Sequence, residues 1–455
     1  MIKPGWTALA NAHAPGRHPI YTRPLLGSEL FADQVMLTQD GFGECCMGIT
    51  FTTALASDEL QVRTEQALLR LRFDTPITAA TLESGIHDPQ LRSWLYKSIQ
   101  SPEELHAWVS EILTVLHEPV NPSQFVQEMN ATKLSYTLPG GGRSQYLRLY
   151  LVRSGGTMNT FGLFFHGTHA LMDAHPTIIT LGLLLDYMTS THLPDVTSLQ
   201  WGTEWKNPPA WLPKWWAYTA IRRVRSSLAK ITVPGRPMRL LVELTLDESA
   251  GILQGVKQLG FTSSHLLDAA TALATFTMNP ISAEESSDAH VTFGSSLISL
   301  GRYLVPPHSS KGHFISRFVL VPISIPWKDV SGSQSASSKE EDKRRLLAAM
   351  ARVKEQYAEY LDNPCTPQLM AEQMRLAPPR EGMPITNPYV STRTNLGNVE
   401  RLIPMLWPTT PCVNGNGVVS PSPPLLRVSA LHFGHRMTLS TPCVDLFVVV
   451  CIGKD

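Results

Sequence analysis

Phe164-Phe165-His166-Gly167-Thr168-His169-Ala170-Leu171-Met172-Asp173-Ala174-His175-Pro176 is the stretch on which the reading of this chain turns. Three histidines and an aspartate fall within ten residues of it. Upstream, Tyr146 to Arg153 alternates Leu147, Leu149 and Leu151 with Arg148, Tyr150 and Val152. That period of two predicts a strand. Ser154-Gly155-Gly156-Thr157 is a turn signal, and Thr160 to His166 reads as the returning strand. Downstream, a helix is predicted from His175-Pro176 through Ile178, Ile179, Leu181 and Leu185 to about Met188. Proline suits its first turn, where the backbone N–H has no helical partner. A short loop between a strand and a helix is where a rigid scaffold holds catalytic groups.

His169 is the residue of interest in that loop. A neutral imidazole titrates near working pH, so it can take the proton of an attacking hydroxyl or amine. The H-x-x-x-D spacing of His169 and Asp173 occurs once in the chain. It gains weight from the strand before it, the helix after it and a second motif in the other half of the chain. A metal site is the competing chemistry, since His166, His169, Asp173 and His175 all carry ligand atoms. These four lie on a strand end, a turn and a helix start, so a contiguous run has difficulty pointing them inward together, and no metal is expected. His166 and His175 read as core residues, with His166 also a candidate for lining a pocket.

Length and composition set the frame. A chain of 455 residues with 43% hydrophobic residues exceeds what one core organises, so two lobes are expected. The formal net charge is +0 and no Lys/Arg-rich run exists, which excludes a nucleic-acid binder. Arg222, Arg223 and Arg225 read as a solvated helix face. The opening Met1-Ile2-Lys3-Pro4-Gly5-Trp6 has no signal-peptide core. The apolar stretches Ile178 to Leu185 and Leu446 to Ile452 are too short to span a bilayer. A cytoplasmic protein is expected. Six cysteines with no C-x-x-C pair predict free thiols rather than a zinc site. Gly140-Gly141-Gly142 lacks the Lys-Ser/Thr of a phosphate-binding loop and reads as a turn.

Helices are predicted over Asp58 to Arg72 and over Pro102 to Leu116, the second capped by Ser101. The first lobe is placed at residues 1–200. A crossing linker follows at 201–233, rich in tryptophan (Trp201, Trp205, Trp211, Trp215, Trp216) and in proline (Pro208, Pro209, Pro213). The second lobe is placed at 234–455. It is expected to hold a strand over Arg239 to Leu246, a buried helix over Ser263 to Thr277 and a charged helix over Lys343 to Leu361. Strands over Leu425 to His432 and Met437 to Cys451 complete it. Ala283 to Ala289 and Ser331 to Lys343 read as flexible, and Pro421 to Pro424 as a rigid loop.

The second motif is Thr394-Asn395-Leu396-Gly397-Asn398-Val399, more than 200 residues after the first. With the histidine motif it resembles the condensation-domain and chloramphenicol acetyltransferase-like superfamily, closest in look to fungal alcohol acyltransferase-like proteins of secondary metabolism. Those families carry H-H-x-x-x-D-G in the first lobe, whose second His and Asp match His169 and Asp173, and S-N-x-G in the second, here Thr394-Asn395-Leu396-Gly397. Weaker echoes are Arg23-Pro24-Leu25-Leu26-Gly27-Ser28-Glu29, Ala67 to Arg72, Trp201-Gly202-Thr203-Glu204 and Ser264 to Ala270. Two positions depart from the pattern: Thr168 stands for the first His and Ala174 for the Gly. The D-F-G-W-G motif of plant-type members is absent; Leu431-His432-Phe433-Gly434-His435 is the nearest stretch.

The resemblance implies an α/β (α+β) fold of two chloramphenicol acetyltransferase-like lobes, each a mixed sheet with flanking helices, and a tunnel between them. It implies a monomeric acyltransferase that moves an acyl group from acyl-CoA, a co-substrate and not a bound cofactor, to a hydroxyl or amine of a small molecule. His169 is then the base. Asp173 turns away and holds the loop through an arginine, with Arg302 and Arg393 the candidates. Thr394, Asn395 and His166 are the oxyanion or pocket candidates. The alternative on the same fold is a cyclase, pericyclase or dehydratase acting on a polyketide or terpenoid intermediate, because a fold does not fix a chemistry.

Overall fold

The hairpin that leads to His169 forms part of a six-stranded sheet in the computed structural model. The structure describes residues 6–9, 20–25, 28–38, 41, 43–86, 91–134, 146–155, 159–190, 196–204, 238–239, 244–284, 286–300, 318–331, 338–366, 369, 403–404, 406–407, 425–435 and 444–445. In chain order the elements begin with β1 (Thr7–Ala8), β2 (Ile20–Pro24), α1 (Ser28–Thr38), β3 (Cys45–Thr53), α2 (Ser57–Asp74), β4 (Thr81–Ser84) and β5 (Arg92–Lys97). Then come α3 (Pro102–Ile112), β6 (Leu113–Val120), α4 (Pro122–Ala131), β7 (Leu147–Ser154), β8 (Thr160–Gly167) and α5 (Ala174–Thr189). The remainder are β9 (Met238–Arg239), α6 (Leu246–Gln258), α7 (Ser263–Met278), β10 (His290–Ser299), β11 (Phe318–Pro326), α8 (Trp327–Val330), α9 (Ser338–Asp362), β12 (Leu406–Trp407), β13 (Leu426–His435) and β14 (Val444–Asp445).

The large sheet runs β12-β13-β3-β8-β7-β6, and β1-β2-β5-β4 form a small antiparallel sheet. Alternation decides what each face of the large sheet buries. Met47, Ile49 and Phe51 of β3, Leu163 and Phe165 of β8, and Leu147, Leu149 and Leu151 of β7 share one core with α2 and α5. The other face buries Cys46, Val152 and Phe164 against Phe125 and Val126 of α4. A second core joins α7, β10, β11 and α9 through Ala272, Phe276, Val321, Ile323, Met350 and Val353. The chain is therefore a mixed α/β protein with two lobes.

Phe164 lies across Gly48 of the neighbouring strand. A methyl group at Gly48 would stand 2.7 Å from the Phe164 Cα and closer still to the Leu163 carbonyl oxygen. Backbone cannot yield as a flexible side chain can. Gly48→Ala is expected to destabilise the chain by about 1–3 kcal/mol, read as a lower urea midpoint.

Several expectations meet a different structure. The helix capped by Ser101, whose Oγ accepts the Glu104 amide, ends at Ile112 rather than Leu116. Thr114 and Val115, β-branched, then pair in parallel with Tyr150 and Leu151 of β7. Here an available sheet edge overrides helical period. Of the strand expected over Arg239 to Leu246, Arg239 lies in β9 beside Val444–Asp445, and 240–243 lie outside the described residues. Leu246 instead opens α6, whose Thr245–Glu248 capping box is the local signal that ends any strand there. The polar stretch expected to be flexible up to Lys343 is helical from Ser338, with Glu340 and Glu341 in its first turn and an Arg344–Glu341 ion pair. The strand expected over Leu425 to His432 forms as β13 but joins the sheet of the first lobe, along β3. Residues 201–204, read as the start of the crossing linker, are pinned to the first lobe. Trp201 donates to the Val196 carbonyl, and buried Glu204 accepts from Tyr96 (2.7 Å) and Ser98 (2.9 Å). Residues 205–237, which carry the other linker tryptophans, lie outside the described residues, as do Gly140 to Gly142 and Pro421 to Pro424.

Cys45, Cys46 and Cys365 are free thiols. Among the described residues, no helix is long and apolar enough to cross a membrane.

Candidate active site

β8 delivers the chain to the site and β7 ends its ladder there. Leu147 pairs with Gly167, and one further bond runs from the Thr168 amide to the Tyr146 carbonyl at 3.2 Å. The chain then winds around Thr168. Its carbonyl accepts the amides of Leu171 (3.0 Å) and Met172 (2.9 Å), and its hydroxyl accepts the amide of Ala170 (3.3 Å). This is the role of the threonine that stands at the position of the motif's first histidine: it ties the turn as a hydroxyl acceptor. Ala170, Leu171 and Met172 point into the core, and half-buried His169 is left at the turn's outer side. Gly167 makes room, because a methyl there would stand 2.5 Å from the Met172 sulfur.

Asp173 is the N-cap of α5. Its carboxylate accepts the Ala174 amide at 2.7 Å, where the helix dipole also favours negative charge. One of its oxygens is thus directed at the helix start.

His169 sits between the two halves of the protein. Its ring lies 5.1 Å from that of Phe318, the first residue of β11 in the second lobe, with the planes inclined by 52°. Gly43 flanks it on the loop into β3; a methyl there would stand 3.9 Å from the His169 Cβ. Gly43 has φ +86, a left-handed conformation that glycine adopts without strain. Cys45 is close by, opposite Gly167. Burial pushes its thiol well above the usual range, and the charges of Asp173 and Glu44 push it further. Cys46 is raised by burial as well. Neither supplies a thiolate nucleophile.

His166 lies on β8, two residues beyond Phe164 and directly opposite Cys46, only 1% exposed. By strand alternation it belongs to the face that carries Phe164 and α4. His169 leaves from the turn and His175 sits in the first turn of α5, so the close-spaced ligand atoms do not converge. Among the described residues, no group of three or more His, Cys, Asp or Glu is placed to hold a metal ion. Thr394, Asn395, Arg302 and Arg393 lie outside the described residues.

Sequence reading passed over three neighbours of the site. Phe318 carried no motif. Gly43 stood in a Gly-x-Gly pair (Gly41 and Gly43) just before a strand, a signal for tight backbone that was available. Arg92 had none: it donates to the Tyr146 hydroxyl (3.2 Å) and is paired with buried Asp33 of α1, so it braces the strand end that holds Thr168. His432, in the stretch set aside as a poor match to a plant-type motif, contacts Thr50 at 3.3 Å and packs 5.8 Å from Phe164. A groove of about 310 Å³ between α7 and α9, lined by Leu273, Thr277, Asp342 and Arg345 among others, contains none of the residues around His169.

No family model and no curated protein matches the chain by sequence. Among solved structures, TRI3 trichothecene 15-O-acetyltransferase from Fusarium sporotrichioides matches with a TM-score of 0.70 at 21% identity, over 96% of this chain and 89% of that one. The chain shares that enzyme's fold. TRI101 of F. sporotrichioides, complexed with coenzyme A and T-2, matches at 12% identity over 80% of this chain and 82% of that one, with a TM-score of 0.48. The first condensation domain of the calcium-dependent antibiotic synthetase matches at 10% identity over 74% of each chain, also at 0.48. The trichothecene acetyltransferase aligns along nearly the whole chain, so the two-lobed resemblance seen in the motifs holds at the level of the fold.

Proposed function

We propose that this protein is an acyl-CoA-dependent acyltransferase that acylates a hydroxyl group of a small secondary metabolite, with His169 as general base. The observation that carries the proposal is the position of His169. It stands at the end of a central strand, on a turn tied by Thr168, with its ring against the second lobe, in a fold shared with an O-acetyltransferase. A tunnel between the lobes brings thioester and acceptor to it, and a monomer suffices because one chain supplies both lobes. A cytoplasmic setting, where acyl-CoA is present, belongs to the same reading.

In the reaction, the imidazole removes the acceptor's proton as its oxygen attacks the thioester carbon. The new C–O bond forms and the carbonyl π pair moves onto oxygen. Thr394 and Asn395 are proposed to donate to that oxyanion. The intermediate then collapses, the C–S bond breaks, and the proton held by His169 passes to the departing CoA thiolate. Asp173 keeps the turn in place from the helix cap and takes no proton. The raised thiols of Cys45 and Cys46 favour direct transfer over an acyl-cysteine intermediate.

The test is release of free CoA from acetyl-CoA and longer acyl-CoAs against a panel of hydroxylated metabolites, trichothecene alcohols among them. The proposal expects CoA release that depends on the acceptor, with an ester product of matching mass. No consumption of any acyl-CoA overturns it and favours the cyclisation chemistry that the same fold can host.

A further inference from the structure

We propose that the outer face of α6 is a docking surface for a second copy of this chain, with the two helices paired antiparallel about a two-fold axis between Ile252 and Gly255. The inference concerns assembly. It is independent of the acyl transfer proposed above, since one chain still supplies both lobes, and its failure leaves that reading untouched.

α6 is held from one side. Ser249 and Val256 are buried, about two turns apart on one line of the helix, and Val256 joins the second core. About a quarter-turn round the helix from that line lie Glu248, Gly251, Ile252, Gly255 and Leu259. Ile252 is 42% exposed and Leu259 57%, and Leu244, just before the helix, is 40% exposed. Apolar side chains that line up on one exposed face mark an interaction surface, whereas singly scattered ones do not.

Two glycines lie within this face. An interior glycine costs an exposed helix about 1 kcal/mol relative to alanine. Packing inside the chain does not offset that cost. Among the described residues, no atom stands within 4 Å of a methyl group built on Gly251 or on Gly255. What a missing side chain does allow is close approach of another backbone from outside.

The charges say which partner fits. The N-terminal end of α6 carries Asp247 and Glu248, both exposed. The C-terminal end carries Lys257, and exposed Lys354 of α9 sets its Nζ 3.0 Å from the Gly260 carbonyl there. The face is acidic at one end and basic at the other, so it complements itself when run backwards. In an antiparallel pair, Ile252 of each copy lies over Gly255 of the other, and Glu248 of each meets the Leu259 and Lys354 end of the other. The helix dipoles then oppose, which adds to the attraction, and the two-fold axis makes every contact twice. One helix from each copy makes a small interface, so the expected dimer is weak, with Kd about 10–100 µM.

The experiment is analytical ultracentrifugation of the full chain from about 1 to 200 µM. Wild type is expected to dimerise with rising concentration. Ile252→Glu is expected to raise Kd about tenfold or more, and so is Lys354→Glu, which sets an acid against Glu248. Gly251→Ala combined with Gly255→Ala is expected to have opposite effects on fold and assembly. It raises the thermal midpoint of the dilute monomer, because alanine suits the helix better, and weakens the dimer by about threefold or more. A wild type that stays monomeric across the range overturns the proposal, whether the face remains wet or takes another occupant. A dimer that Ile252→Glu or the glycine pair leaves unchanged overturns it as well, because the contact then lies elsewhere. If Ile252→Glu fails to fold, Leu259→Gln carries the same criterion.

Discussion

His169→Ala lowers acceptor-dependent CoA release by about a hundredfold or more, while the thermal midpoint stays close to wild type. The magnitude follows from what a positioned general base contributes to proton transfer, about 10²–10⁴-fold. The unchanged midpoint follows from the local structure. The turn is built by Thr168 through its carbonyl and hydroxyl, and by Tyr146 through its carbonyl, none of which uses the imidazole. His169 is half-buried on that turn, and its truncation forfeits side-chain contacts such as that with Phe318 rather than opening the core. Initial rates with saturating acetyl-CoA, and a thermal melt of the same preparation, check both halves. A variant within tenfold of wild type would remove His169 from the chemistry.

Arg92→Ala is expected to have the largest effect on stability, about 3–5 kcal/mol. Asp33 is fully buried on α1, and Arg92 is its ion-pair partner, with Nε 3.2 Å from one carboxylate oxygen and Nη2 on the other. Burial raises the pKa of Asp33, while the hydrogen bond and charge of Arg92 lower it. Removing Arg92 leaves only the raising cause. The folded carboxyl then binds its proton more tightly than the unfolded one, so the folded state holds more protons between the two pKa values. Stability must fall as pH rises through that window. The deficit of Arg92→Ala is therefore greatest at neutral pH and shrinks in mild acid. Urea unfolding at both pH values checks this, and a deficit that ignores pH would show that lost packing, not a buried charge, is the cause. The double variant Asp33→Ala, Arg92→Ala is expected to recover part of the loss, since it leaves no charge buried without its partner.

The same variant connects stability to the site. Arg92 also donates to the Tyr146 hydroxyl and lies with its guanidinium 5.7 Å from the centre of that ring. Tyr146 in turn holds Thr168. Loss of Arg92 thus frees the end of β7 against which the His169 turn is built.

How much of this was legible in the chain differs by element. The hairpin of β7 and β8 was readable because alternation over eight residues and a Gly-Gly turn leave little choice of register. The helix after Asp173 was readable from Pro176 and its apolar period, and α3 from Ser101-Pro102. These are local signals, satisfied by hydrogen bonds within a few residues. The end of α3 at Ile112 was not readable. Leu113 to Leu116 suits helix and strand alike, and the edge of β7, more than thirty residues away in sequence, decides between them. The placement of β13 beside β3 was equally hidden, since its partner lies hundreds of residues upstream.

For the site, the sequence by itself determined the chemistry on offer: a histidine between strand and helix, an aspartate four residues later, and cysteines with no metal-binding spacing. Those facts depend on residue type and short spacing, which the chain carries explicitly. Tertiary structure alone decided what surrounds that histidine. Phe318 reaches it from the other lobe, Gly43 borders it from the loop before β3, and the Asp33–Arg92 pair braces its turn from a different sheet. Contacts of that range are selected by the packing of whole elements, because burial rewards any apolar partner of suitable shape and leaves no spacing rule in the sequence to announce which one arrives.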